Sequence, residues 1–327
     1  MRDTSSRVRS VGVIVGLAGL LVASTGGATA SASRARNGGP IASRSSTVGP
    51  APSLAAPCGR SSAPPATYDH VVVLMEENRT WSGGASPGVG LGFSSKAMPF
   101  LHSLATKCSW YSHWKETNPH QNSLTQHIGL TSGVDNPHTV NDCSPSATCR
   151  STDNNIFRQV RTAGGTPRTY VEGPTRNCST AGNATKHVAA LYYYGGTDHS
   201  FCNTEVRPVS SMNPDGLPTF AIVVPTLCHD GHDCGDATVD AWAKSTLTRI
   251  LNGASYQAGR TLVVVGWDED SPVPNLLIAP TARAGGRTST VGSHAALLKT
   301  IEVLLGLPVM AQGQLPGAIS LRSSAHI

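Results

Sequence analysis

Eight side chains of this 327-residue chain can share one piece of chemistry: Glu77, Asn78, Asp230, His232, Asp233, Asp268, Glu269 and His294. Carboxylates, imidazoles and an amide together suit a hard or borderline divalent cation better than a soft, thiophilic one. A divalent metal beside clustered carboxylates polarises a phosphoryl group and lowers the pKa of a nucleophile or water, which suits in-line displacement at phosphorus. The candidate nucleophile is Ser123. Leu124 and Ile128, four residues apart, predict a short helix that starts at this serine. A helix N-terminus offers free backbone N–H groups to a phosphate. The same position equally fits a plain helix cap.

Three elements have to bring these groups together. The run Tyr68-Asp69-His70-Val71-Val72-Val73-Leu74-Met75 leads into Glu76-Glu77-Asn78-Arg79. Phe220-Ala221-Ile222-Val223-Val224-Pro225 leads, after three residues, into His229-Asp230-Gly231-His232-Asp233. Thr261-Leu262-Val263-Val264-Val265-Gly266-Trp267 leads directly into Asp268-Glu269-Asp270. Each run is short, apolar and rich in β-branched residues, as expected of strands buried on both faces of a parallel sheet. In open α/β sheets, ligands bind beyond the carboxyl ends of the strands. The three strand-then-charge junctions therefore predict one α/β domain with one site.

Arg2, Arg7 and Arg9 precede an apolar stretch from Val11 to Ala23, with small residues at Ala28-Thr29-Ala30. This reads as a signal peptide over residues 1–30. The stretch is short of the ~20 apolar residues a membrane span needs, so a secreted protein without stable membrane insertion is expected. Residues 31–66, rich in Ser, Ala, Pro, Gly and Arg, read as a disordered linker, and residues 67–327 as the folded domain. Eight cysteines, an even number all beyond residue 30, fit disulfides in an exported chain. They allow 105 connectivities. Proximity favours Cys143 with Cys149, Cys228 with Cys234, Cys178 with Cys202 and Cys58 with Cys108.

The net charge is +5, and removing residues 1–30 takes away three arginines and one aspartate to leave +3. Basic residues are scattered and aromatics are few. Neither nucleic-acid nor membrane binding has a footprint, and a monomer is expected.

A resemblance sharpens this reading. Asp69 to Arg79, Leu130-Thr131-Ser132-Gly133, Gly216-Leu217-Pro218-Thr219, His229 to Trp242, Trp267-Asp268-Glu269, and Ser293-His294 through Glu302 to Gly306-Leu307-Pro308 resemble, in order, the bacterial phosphoesterase family. That family joins secreted acid phosphatases with phospholipases C. The chain is most similar to exported acid phosphatases that act on phosphoinositides, including phosphatidylinositol 3-phosphate. The resemblance implies an alkaline-phosphatase-like three-layer α/β sandwich with a mostly parallel central sheet. It also implies a divalent metal and a transiently phosphorylated serine or threonine.

By the same resemblance Glu77, Asn78, Asp230, Asp233, Asp268 and Glu269 are expected at the metal. Ser123, His232 and His294 are expected in catalysis, and Asn78, Arg79, Lys186 and His187 at the substrate, a phosphorylated small molecule or a phosphoinositide headgroup. Around Ser123 the family's usual His-Pro-Ser-x-Pro-Asn-Tyr becomes Gln121-Asn122-Ser123-Leu124-Thr125-Gln126-His127, so only the serine is kept. His229 stands as an added ligand or acid, or as a solvated loop residue. Asp240 either supports the site or caps a helix. Tyr192-Tyr193-Tyr194 is a candidate cleft wall. A phosphodiesterase of phospholipase C type and an inactive, disulfide-braced binding protein remain the two alternatives to a monoester phosphatase.

Overall fold

A computed structural model describes residues 54–79, 95–119, 121–270 and 273–327. The expected signal peptide and most of the expected linker lie outside them. In chain order the strands are β1 (His70–Glu76), β2 (Ser109–Tyr111), β3 (Trp114–Lys115), β4 (Pro167–Val171), β5 (Val206–Pro208), β6 (Phe220–Val224), β7 (Thr261–Trp267), β8 (Asn275–Ile278), β9 (Arg287–Thr288) and β10 (Gly292–Ser293). The α-helices are α1 (Pro99–Lys107), α2 (Ser123–Ser132), α3 (Ile156–Thr162), α4 (Cys202–Glu205), α5 (Asp236–Asn252), α6 (Ala254–Gln257), α7 (His294–Leu304) and α8 (Arg322–Ala325).

Eight strands form one sheet in the order β5-β4-β6-β1-β7-β8-β2-β9, and β10 pairs with β3 in a small second sheet. In the large sheet only β8 runs against its neighbours. The three apolar runs are β1, β6 and β7, and they are adjacent, with β1 in the middle: Val71 is paired with both Phe220 and Leu262. Every residue of β6 and β7, and all of β1 after His70, is buried, so both faces of these strands are covered. Their sequences are accordingly continuous apolar runs rather than alternating ones. The helices pack in two groups, α1 with α5 and α2 with α7, around this mostly parallel sheet.

Helix α2 begins at Ser123, as its apolar spacing predicts, and all ten of its residues are buried. It stops at Gly133, whose φ of 75° is left-handed and whose N–H bonds to Gly129 O. Asp240, on α5, accepts the N–H groups of Phe100 and Leu101 at 3.0 and 2.8 Å. Its carboxylate thus caps the first turn of α1, which has no cap of its own.

All four expected disulfides form: Cys58–Cys108, Cys143–Cys149, Cys178–Cys202 and Cys228–Cys234. The first corrects the domain boundary. Cys58 is 5% exposed, Leu54 packs on the core and Pro57 O accepts the Tyr256 hydroxyl. The stretch from residue 54 to 66 is therefore part of the domain, because a cross-link and buried contacts supply the anchoring that its composition lacks. No helix among the described residues is long and apolar enough to cross a membrane.

Candidate active site

The parallel strands deliver the site at their carboxyl ends. Glu77 follows β1, Asp268 and Glu269 follow β7, and Asp230 lies in the loop after β6. The backbone ties the first two junctions together: Asp268 N–H donates to Glu76 O at 3.2 Å, and Asn78 N–H donates to Asp268 Oδ1 at 3.3 Å. Helix α2 supplies Ser123 and, one turn on, His127. A short 3₁₀ turn at Thr185–His187 supplies Lys186 and His187.

Glu77 is the centre, 1% exposed. Its Oε1 lies 2.8 Å from His187 Nε2 and 3.5 Å from His127 Nε2, and its Oε2 accepts the Ser123 hydroxyl at 3.1 Å. Ser123 Oγ is also 3.1 Å from Glu269 Oε1 and 3.4 Å from Lys186 Nζ. His187 Nδ1 faces Asp230 Oδ2 at 3.2 Å, and its ring stacks on that of His127 with centroids 5.1 Å apart. His232 is one-third exposed. Its Nδ1 bonds to Asp233 Oδ1 at 2.7 Å and its Nε2 lies 3.4 Å from Lys186 Nζ.

The electrostatics of this cluster are lopsided. Burial works against a charge on His187, yet the Glu77 and Asp230 carboxylates overcome it and raise its pKa to about 9. Burial would likewise raise Glu77, but the His187 charge and the close approach of both imidazoles hold it well below the ordinary range. Asp268 is pushed well up by burial and by the negative charges of Glu77 and Glu269. Glu269 rises to about 8, first through burial and then through the charge of Glu77. Three carboxylates meeting in a buried space need an added positive charge before all of them ionise.

The donor atoms fit a divalent cation. Glu77, His127 and His187 can each place one ligand atom within 4.8 Å of the others, and so can Glu77, Asp268 and Glu269. Glu77 Oε1, His127 Nε2, His187 Nε2, Asp230 Oδ2 and Asp268 Oδ2 are buried without a hydrogen-bond partner, although several lie within ion-pair distance of one another. Short approaches without hydrogen-bond geometry are what ligands of one common ion make. Orphaned buried polar atoms otherwise cost too much to keep.

The structure brings Ser123, Glu77, Asp268, Glu269, Lys186, His187 and Asp230 together with His232 at the rim. Asn78 adjoins the cluster through its backbone, in a left-handed conformation of φ 47°. The remaining expectations are corrected. Arg79 is not a substrate contact: it is 1% exposed, its Nε holds Asp236 at 2.6 Å, and Nη1 donates to Asn78 O and Gly231 O. Gly231, with φ 100°, leaves room for that guanidinium, since a Cβ there would sit 2.9 Å from Nη2. Asp233 is more than half exposed and serves His232 rather than the buried ligand cluster.

His294 is also corrected, because both its ring nitrogens are engaged away from the carboxylates. Nε2–H donates to Trp267 O at 3.3 Å, and Nδ1 accepts the Thr117 hydroxyl at 3.4 Å. His229 lies apart from the ligand cluster and is about one-third exposed: its Nδ1 bonds Glu172 at 2.9 Å and its ring stacks on Trp242. Tyr192 and Tyr193 are buried, with hydroxyls on Cys143 O and Thr131, so they are core rather than cleft. Ser123 is the first helical residue, with Asn122 in the cap position, so the plain-cap reading fails. The site residue that the sequence reading missed is His127. Its spacing of four from Ser123 puts the two on one face of α2, and that was the available signal.

Residues 89–308 match the model of the phosphoesterase family. The matched region begins after β1, so Glu77 lies outside it. The phosphatidylinositol-3-phosphatase of Mycobacterium tuberculosis is 31% identical over 258 residues, covering 74% of this chain and 78% of that protein. An acid phosphatase of Aspergillus fumigatus is 24% identical over 140 residues, covering 39% of this chain and 31% of that one. Among solved structures, an alkaline phosphatase superfamily protein from Vibrio parahaemolyticus superposes with a TM-score of 0.52 at 12% identity. That superposition covers 79% of this chain and 72% of the other and establishes the likeness of fold alone.

Proposed function

The chain belongs to the phosphoesterase family and is a phosphoric ester hydrolase, and on that premise we propose that it is a secreted, metal-assisted monoester phosphatase that works through Ser123. The observation that carries this reading is the set of orphaned buried ligand atoms on Glu77, His127, His187 and Asp268 beside the Ser123 hydroxyl. Glu77, His127, His187, Asp268 and Glu269 would hold a divalent cation, which when bound neutralises charge on the transferring phosphoryl group as a Lewis acid.

The chain's own groups do the rest. The Ser123 hydroxyl gives its proton to Glu77 Oε2 or Glu269 Oε1, each 3.1 Å away, as its oxygen bonds to phosphorus. Lys186, 3.4 Å from that oxygen, meets the phosphoryl oxygens. The ester oxygen departs and takes a proton from His232 Nε2, whose ring is oriented by Asp233 at Nδ1. Water, giving a proton to His232 Nε2, then attacks the phosphoserine, and the departing Ser123 oxygen takes back the proton held by Glu77 or Glu269, which restores the hydroxyl and releases inorganic phosphate.

Two further points belong to this reading. The four disulfides fit an oxidising compartment and support export. Phosphatidylinositol 3-phosphate is the proposed lipid substrate, and its support is the name of the mycobacterial relative. The test is phosphate release from p-nitrophenyl phosphate by the disulfide-intact protein and by Ser123→Ala, with bis(p-nitrophenyl) phosphate in parallel and phosphatidylinositol 3-phosphate next. Monoester turnover lost in the variant is the expected result. Faster cleavage of the bis-ester replaces the reading with a phosphodiesterase, and full turnover in Ser123→Ala with metal bound removes the serine mechanism.

A further inference from the structure

Lys186 reaches the nucleophile from a different part of the chain, and something has to hold its long side chain in place. Its Nζ is 2.9 Å from Asp142 Oδ2, 3.4 Å from Ser123 Oγ and 3.4 Å from His232 Nε2. A lysine ammonium has three hydrogens to donate on a flexible four-carbon stem, so an unanchored one samples many positions. Asp142 is attached at both ends of this contact. Its other oxygen, Oδ1, accepts the N–H of Leu124, the second residue of the nucleophile helix, at 3.0 Å. One carboxylate therefore spans Lys186 and the first turn of α2, on either side of Ser123.

The backbone at Asp142 is arranged for this task at a cost. Asn141 and Asp142 are consecutive non-glycine residues with left-handed φ values of 61° and 52°. Such a pair persists only where its surroundings impose it. Cys143, the next residue, supplies them: it is cross-linked to Cys149, and its carbonyl accepts the hydroxyl of buried Tyr192 at 2.8 Å. The loop is thus clamped immediately after the residue that carries the carboxylate.

We propose that Asp142 is a positioning residue that fixes the Lys186 ammonium against the amino end of α2, so that its positive charge faces the phosphoryl oxygens while Ser123 attacks. The inference rests on the reading of Ser123 as nucleophile and Lys186 as phosphoryl contact. Asp142 itself touches neither substrate nor the reacting atoms. It acts through Lys186, and its effect exists only while Lys186 is present.

That dependence gives the test. The purified, disulfide-intact chain is compared with Asp142→Asn, Lys186→Met, the double variant and Ser123→Ala, with kcat and KM measured for p-nitrophenyl phosphate and the inhibition constant measured for orthophosphate. Asp142→Asn keeps an oxygen for the Leu124 N–H but loses the charge that holds the ammonium. The expected result is a fall in kcat/KM of about 10- to 100-fold in Asp142→Asn, as for a misplaced catalytic contact. Weaker orthophosphate inhibition should accompany it, and Lys186→Met should be at least as impaired. The double variant should be no worse than Lys186→Met alone. Multiplicative losses in the double variant would assign Asp142 to the stability of α2 and overturn the proposal, as would wild-type kinetics in Asp142→Asn. If instead Ser123→Ala keeps full turnover, the underlying serine mechanism fails rather than the Asp142 to Lys186 coupling, which the orthophosphate constants read independently.

Discussion

His294 opens α7 from a position with 1% exposure, between Trp114, Thr117 and the Trp267 carbonyl, and the cost of charging it there can be measured. Burial, opposed by the Trp267 carbonyl and reinforced by His127, lowers its pKa from 6.5 to about 4. The sign follows from which state takes the proton. Between pH 6.5 and about 4 the unfolded chain binds a proton at this histidine while the folded protein does not. The stabilisation is therefore complete above pH 6.5 and is lost as pH falls towards 4.

The gap of about 2.5 pH units, at ~1.36 kcal/mol each, amounts to about 3 kcal/mol, or roughly 6 to 12 °C in Tm for a domain of this size. The assay is urea unfolding of metal-chelated protein at pH values from 7 to 4.5, for the wild type and His294→Gln. Gln keeps a donor for Trp267 O without a titrating group. The wild type should be the more stable at pH 7, with its advantage shrinking by about 2 to 3 kcal/mol by pH 4.5. An advantage that stays constant across that range would refute the reasoning, because it would mean that His294 does not stay neutral in the fold.

A divalent cation at 100 times its Kd should stabilise the chain by about 2.7 kcal/mol, seen as a Tm rise in melts with and without chelator. In Glu77→Gln that rise should shrink sharply, since the residue common to both ligand groups is altered. Arg79→Met should cost about 3 to 5 kcal/mol in unfolding experiments, because the buried Asp236 carboxylate loses its guanidinium counter-charge. Asp240→Ala should lose about 1 to 2 kcal/mol with kcat/KM unchanged, as removal of a cap on α1 rather than of a site residue. Replacing Cys58 and Cys108, 50 residues apart, should cost about 4 kcal/mol by loop-closure entropy, against about 2 kcal/mol for Cys228 and Cys234, only six apart.

The sequence by itself determined the central strands, because a strand covered on both faces can be written only as a continuous apolar run, and β1, β6 and β7 are such runs. It also determined that acidic residues follow those strands, and that a helix starts at Ser123, since both are local patterns. Cysteine proximity along the chain was enough for the four disulfides. Proximity was less informative about the 12 histidines, which a linear reading cannot rank.

Only the tertiary structure decided which charged residues face the site. Glu76, Glu77 and Arg79 are near neighbours in sequence, yet the pleat and the turn after β1 send Glu77 to Ser123 and the histidines while Arg79 anchors Asp236. His127 and His187 meet Glu77 from separate elements, and Asp142 meets Lys186 across 44 residues. His294 was drawn away to the Trp267 carbonyl. The physical reason is that a strand's burial is recorded in its own residues. The convergence of ligands depends instead on the order β6-β1-β7 and on where loops far apart in the chain are pinned, which no single segment carries.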